Sequence, residues 1–148
     1  MNPFDIKSEL PANHAQHIAL THFPIALSIA CGAFDLIAQR TRRRGLSNAA
    51  YYNVPLAAIS TVPVVATGIL AWQFALEGQK FKGILLMHLV LALVSTTMIW
   101  LVWWVHFHVR RRGQGLPIFR IPLELLAVAI ISLTGHLGGF LSGVNGPS

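Results

Sequence analysis

The fold is decided by residues 83–109, which read GILLMHLVLALVSTTMIWLVWWVHFHV and contain no aspartate, glutamate, lysine or arginine. At a rise of about 1.5 Å per residue, a helix of this length crosses the roughly 30 Å hydrocarbon core of a bilayer. Three further stretches are long and apolar enough to do the same, at 17–37, 54–76 and 121–143. The sequence therefore predicts four membrane-spanning helices.

Composition supports this interpretation. The 148 residues are 54% hydrophobic and 11% charged, whereas about a quarter of the residues of a soluble domain are charged. Little chain remains outside the four stretches, so we expect no separate soluble domain. The prediction is an all-α integral membrane protein, a single membrane domain over residues 1–148, folded as an up-down-up-down four-helix bundle.

Charge placement predicts the orientation. The first and third stretches are followed by two arginine-rich segments: Arg40, Arg42, Arg43 and Arg44, and then Arg110, Arg111, Arg112 and Arg120. The positive-inside rule makes both segments cytoplasmic, which places both termini outside. We therefore expect a multi-pass protein of the bacterial inner membrane. These segments hold eight of the eleven basic residues behind the net charge of +6, so nucleic acid is not an expected partner.

Three histidines fall at the same expected depth. His22 lies near the start of the first span, His88 near the start of the third, and His136 near the end of the fourth. With the predicted orientation, all three lie in the outer leaflet. Because ionisable residues inside a bilayer are costly and usually functional, they predict a cofactor or metal site.

A b-type haem is the cofactor that this pattern favours. The first and third helices are diagonal in such a bundle, so His22 and His88 could face each other as the two axial ligands of the iron. His136 would contact the ring edge or replace one ligand. Small residues near the histidines, Ala26, Ala92 and Gly68, would leave room for the flat ring.

The predicted function is therefore a membrane electron-transfer subunit. It would exchange electrons with a redox partner protein, a larger membrane complex or a quinone, and is not expected to be a self-sufficient enzyme. Two alternatives stay open. One is a copper or zinc site formed by the three histidines, with Met87 as a nearby soft ligand. The other is a cofactor-free membrane anchor or assembly subunit.

Other polar residues have simpler interpretations. Asp35 and Glu124 lie near the cytoplasmic ends of their spans, where pairing with the arginines is favoured over a proton path. His106 and His108 are interpreted as interfacial, and His14 and His17 as solvated at the outer surface. The single cysteine, Cys31, cannot form an internal disulfide.

Several segments resemble a known family. They are His22-Phe23-Pro24-Ile25-Ala26-Leu27, Asp35, Thr67-Gly68-Ile69-Leu70-Ala71-Trp72, His88 and Leu137-Gly138-Gly139. Together they resemble the bacterial four-helix membrane proteins of domain of unknown function 2231. The resemblance covers nearly the whole chain and supports His22 and His88 as the core pair. Departures from the family pattern occur at Ala71, Phe140 and His136.

Overall fold

A computed structural model describes residues 6–113 and 117–142, with side chains described from residue 16 onward except at 75. The helices are α1 (Ile6–Thr41), α2 (Arg44–Leu70), α3 (Gly83–Arg111) and α4 (Arg120–Leu141), and α2 continues into a π-helical segment, Ala71–Ala75. Within these ranges no strand is present. All four helices are long and apolar enough to cross a membrane, so the predicted all-α membrane fold is confirmed.

The helices form an up-down-up-down bundle. Each helix packs against the next in the chain, and α4 also packs against α1. Helices α1 and α3 are therefore diagonal, as the sequence predicts. Small residues buried on α2, Ala50, Ala57 and Ala58, allow close approach of the neighbouring helices, which is how membrane helices pack.

The helices extend beyond the predicted spans. Helix α1 begins at Ile6, so Pro24 lies inside the helix, and α2 begins at Arg44 and not near residue 54. The first turns of α2 are polar and extend the helix beyond its apolar part. The predicted end of the fourth span, at 143, lies outside the described residues.

Both arginine-rich segments lie at one end of the bundle, here called the arginine end (residues 40–44 and 110–113). Arg110 donates a hydrogen bond to Asn48, and its guanidinium lies 4.1 Å from the centre of the Tyr51 ring. These contacts join the start of α2 to the end of α3. The other end, with the loop 76–82, is called the opposite end.

The outer surface of the bundle is apolar along the middle of the helices. Large exposed side chains include Leu56, Ile59 and Val62 on α2 and Leu93 and Leu101 on α3. A soluble monomer rarely exposes so many large apolar side chains together. It fits contact with the lipid bilayer.

Candidate functional site

Four ionisable side chains are buried together in the arginine-end half of the bundle. Asp35 comes from α1, His106 from α3, and Arg120 and Glu124 from α4, and none is more than 6% exposed. We call these four residues the buried charge cluster. Charged groups inside a membrane protein are expensive and mark a functional site by default.

Helical spacing explains how these polar residues come to be buried. On α4, Arg120 and Glu124 are one turn apart, and the same face continues through the buried residues Ala127, Ile131 and Thr134. On α3, His106 ends a buried face that also contains Val102, Ile99 and Ser95. Packing of the apolar faces therefore also buries the polar residue at the end of each face.

One imidazole nitrogen joins the two carboxyl groups. The Nε2 of His106 lies 2.7 Å from Oε1 of Glu124 and 3.3 Å from Oδ2 of Asp35. The same Asp35 oxygen accepts a hydrogen bond of 2.8 Å from Nε of Arg120. Arg120 also donates to the carbonyl of Pro117 at 3.3 Å, which ties the cluster to the chain just before α4.

Three buried polar atoms of the cluster have no hydrogen-bond partner among the described residues: Asp35 Oδ1, His106 Nδ1 and Glu124 Oε2. A cavity of about 20 Å³ lies between the four helices, and of these three residues Glu124 lines it. Its polar lining comes from Ser28, Cys31 and Glu124. A space of this size admits roughly one water molecule. The cluster therefore has unused hydrogen-bonding capacity, and Glu124 borders a small cavity whose wall is mostly apolar.

Cys31 lies one turn before Asp35 on α1 and is buried. Cys31, His106 and Glu124 each offer one ligand atom within 4.8 Å of the others, a spacing that a metal ion could use. The His106 Nε2 and the Glu124 Oε1 are already bonded to each other. Because both of these atoms are engaged in that hydrogen bond, we treat the four residues as a hydrogen-bonded cluster.

The chain was compared with known proteins. A family model described as predicted membrane protein, DUF2231, matches residues 13–146. The chain belongs to the DUF2231 family. This confirms the resemblance drawn from the sequence. No curated protein and no solved structure matches the chain, so DUF2231 membership gives its class as a membrane protein and assigns no activity.

In this DUF2231 protein, the three predicted histidines lie near the opposite end but have separate contacts. His22 is exposed, and its Nδ1–H donates to the Ile18 carbonyl of its own helix at 2.8 Å. His88 is half-buried and donates from Nδ1 to the Thr134 carbonyl at 3.1 Å. His136 is exposed, with its ring edge-on to Phe140. No contact described in the structure joins one of these imidazoles to another.

The small residues proposed to leave room for a haem have other roles. Gly68 lies against the ring of His17, whose Cε1 is 3.0 Å from the position that a Cβ would take. Thr67 accepts from Nδ1 of His17 at 3.1 Å while its own hydroxyl donates to the Pro63 carbonyl. Ala26 is exposed and Ala92 half-buried. An imidazole therefore occupies the slot on α2 that the sequence analysis assigned to the cofactor.

Three interpretations of single residues need correction. His106 is not interfacial, because only 1% of it is exposed. His17 is half-buried against α2 and not solvated, while the side chain of His14 lies outside the described residues. Arg120, predicted to lie between the third and fourth spans, is the first residue of α4 and is buried. Arginine pairing is found for Asp35, whereas Glu124 bonds to His106.

A signal for the cluster was present in the sequence. Asp35 precedes Arg40 by five residues, His106 precedes Arg110 by four, and Glu124 follows Arg120 by four. These residues therefore have the same expected depth in the membrane, as the three histidines do. Their closeness to the arginines favoured interfacial interpretations, and the burial of Arg120 itself had no signal in the sequence.

Proposed function

We propose that this protein binds and transfers a proton in the membrane, with the buried charge cluster holding one exchangeable proton. The observation that carries the proposal is the shared contact of one nitrogen, His106 Nε2, with both Glu124 and Asp35. Hydrogen-bonded imidazole and carboxyl groups inside a membrane are the parts from which proton relays are built.

Charge balance supports a bound proton. With both carboxyl groups ionised, Arg120 supplies the one permanent positive charge, and a neutral His106 leaves the cluster with a net charge of −1. An uncompensated charge in a low-dielectric interior is costly. One added proton makes the cluster neutral. Because Arg120 neutralises Asp35, we assign this proton to the pair formed by His106 and Glu124.

The unpartnered oxygen of Glu124 would allow the proton to leave the cluster toward the adjoining cavity. When His106 is an imidazolium, its Nε2–H donates to Oε1 of the ionised carboxylate. Transfer of that proton to Oε1, followed by a turn of the carboxyl group about its Cγ–Cδ bond, would bring the O–H toward the adjoining cavity without moving any helix. Hydrogen bonds of this kind, already formed and excluded from bulk water, are suited to proton transfer.

Infrared spectroscopy of the purified protein tests the proposal. We expect a protonated-carboxyl C=O band that shifts in D₂O and disappears in Glu124→Gln. The control is Glu77→Gln, because Glu77 is exposed in the loop at the opposite end. The same proton can instead be bound to His106, and nitrogen-15 NMR of the histidines would then detect a protonated imidazole. Ionised carboxyl groups together with a neutral His106 would contradict the proposal.

A second candidate function is the haem-containing electron-transfer subunit, which one observation favours. Both His22 and His88 donate from Nδ1 to a backbone carbonyl. This leaves Nε2 with the lone pair, which is the arrangement usual for metal-binding histidines. A bis-histidine haem b would supply electron transfer with a partner protein or quinone. Against this function, His17 fills the slot on α2.

Absorption spectroscopy separates the second candidate from the first. Protein purified from cells supplied with haem would show a Soret band, lost in His22→Ala and in His88→Ala. His108→Ala is the control, since His108 stacks on Trp104 at the arginine end. A colourless preparation would reject haem binding and leave the proton proposal unaffected.

We further propose the orientation that the positive-inside rule predicts. The arginine end would face the cytoplasm, and both termini would face the outside of the bacterial inner membrane. The grouping of Arg110 with Asn48 and Tyr51 supports it, since it brings both arginine segments to one side. The buried charge cluster would then exchange its proton on the cytoplasmic side.

A further inference from the structure

The cavity beside the cluster extends toward the middle of the bundle. It is lined by Glu124, Cys31 and Ser28, with apolar side chains from α2 and α3 completing the wall. Ser28 is two helical turns from Asp35 along α1. The polar lining of the cavity therefore reaches from the cluster toward the opposite end.

A buried pair of hydroxyl groups lies farther along the same direction. The Oγ of Ser95 on α3 and the Oγ1 of Thr134 on α4 are 2.9 Å apart, and both residues are buried. Thr134 also donates to the Ile130 carbonyl at 2.8 Å. Ser95 is then the donor to Thr134, so one hydroxyl hydrogen bond crosses between the two helices.

Contacts between α1 and α4 set the level of Ser28 relative to this pair. Gly32 lies opposite Val128, and Gly135 lies opposite Ile25. Ser28 is between Ile25 and Gly32, so its level on α4 falls between 128 and 135. Because the two helices run in opposite directions, Ser28, three residues after Ile25, is level with about residue 132, roughly 3 Å along the bundle axis from Thr134.

We propose that one water in the cavity, Ser28 and the Ser95–Thr134 pair form a proton route from Glu124 into the other half of the bundle. The inference rests on the proposed function and extends it from proton binding to passage through the membrane interior. The cavity suits a water because it is polar on one side, and Glu124 Oε2 has no partner among the described residues.

The transfer conserves protons at each step. The water accepts the proton of Glu124 Oε2–H and gives one of its own protons to the Ser28 oxygen. Ser28 releases its original hydroxyl proton toward the Ser95–Thr134 pair. The pair releases one of its own protons toward the lone pair on Nε2 of His88, whose Nδ1 donates to the Thr134 carbonyl. Each group then turns to restore its starting orientation. The route uses no redox partner, and α2 contributes the apolar residues Val54 and Ala57 to the wall.

Proton flux into liposomes containing the purified protein tests the route, with a pH-sensitive dye inside and a potassium-diffusion potential to drive it. Ser28→Ala and Thr134→Val should each lower the flux about tenfold, as expected for the loss of one hydrogen-bonded step worth about 1.4 kcal/mol in the barrier. The matched control is Thr97→Ala. Thr97 is on α3 but exposed, and its hydroxyl bonds to the Leu93 carbonyl of its own helix.

Each outcome has a separate meaning. Normal flux in Thr97→Ala with reduced flux in Ser28→Ala and Thr134→Val supports the route. Equal flux in wild type and Ser28→Ala, no flux above empty liposomes, or an equal loss in Thr97→Ala overturns it. If the Glu124 infrared band persists when the flux test fails, the proton-binding proposal stands and only the route is wrong. If the band is absent and nitrogen-15 NMR also shows a neutral His106, the proposed function itself fails.

Discussion

His106 is the residue on which the buried charge cluster depends most. Its Nε2 contacts both carboxyl groups, and only 1% of the residue is exposed. Without this ring, Glu124 would keep a buried carboxyl group with no described donor, while Asp35 would keep Arg120. Removing one partner of a buried polar pair costs more than the bond itself contributes, because the other group stays buried and unsatisfied.

We expect His106→Ala to lower the free energy of unfolding by about 3 kcal/mol, because it leaves a buried polar group unpaired and opens a space. His106→Gln should cost less, since its amide can still donate to Glu124. Thermal unfolding of the purified protein in detergent measures both changes. His108→Ala serves as the control, and equal losses in His106→Ala and His108→Ala would contradict the role given to His106.

Close packing between elements depends on two glycines near the opposite end. Gly68 on α2 lies against His17 of α1, and Gly138 on α4 lies against His88 of α3, where a Cβ would be 3.2 Å from Cε1. In both pairs the missing side chain lets an imidazole reach the neighbouring helix. His17 therefore packs α1 against α2, and His88 packs α3 against α4. His88 also donates a hydrogen bond to the Thr134 carbonyl of α4.

Gly68→Ala should destabilise the protein by about 1 to 3 kcal/mol, the usual cost of overpacking. The added methyl group would be 3.0 Å from Cε1 of His17, so the ring must move. Gly45→Ala is the matched control, because it adds the same group to the same helix with no heavy atom within 4 Å. Chemical or thermal denaturation compares the two. A Gly68→Ala protein as stable as Gly45→Ala would show that His17 is not packed there.

The two ends of the bundle contain different kinds of polar residues. The arginine end contains the buried charge cluster, and the opposite end contains hydrogen-bonded histidines without a described acidic partner. Between them the described core is mostly apolar, apart from hydroxyl groups such as those of Ser95 and Thr134. This division makes the orientation of the bundle in the membrane important for any directional process.

Cysteine accessibility tests the orientation. We expect a membrane-impermeant thiol reagent added to intact spheroplasts to label Lys80→Cys and not Arg112→Cys, with both labelled after lysis. Both positions are exposed, whereas the native Cys31 is buried and should stay unlabelled in the unchanged protein. The reverse pattern would mean that the arginine end faces outward and that the positive-inside rule fails for this chain.

The sequence by itself determined the four spans, the grouping of both arginine segments at one end and the diagonal relation of α1 and α3. These features follow from hydropathy, charge and loop length, which each segment carries independently of the others. Helix ends were predicted less well, because the polar first turns of α2 continue the helix past its apolar part.

Only the tertiary structure decided which side chains face inward. In a soluble helix the apolar stripe identifies the buried face, but in a bilayer the lipid is as apolar as the core. Periodicity therefore could not show that His22 and His136 are exposed, or that His106 and Arg120 are buried. The position of each residue along its helix, and so its expected depth in the membrane, could be predicted from the sequence. Rotation of each helix, which brings His106 against Asp35 and Glu124, depends on packing between helices.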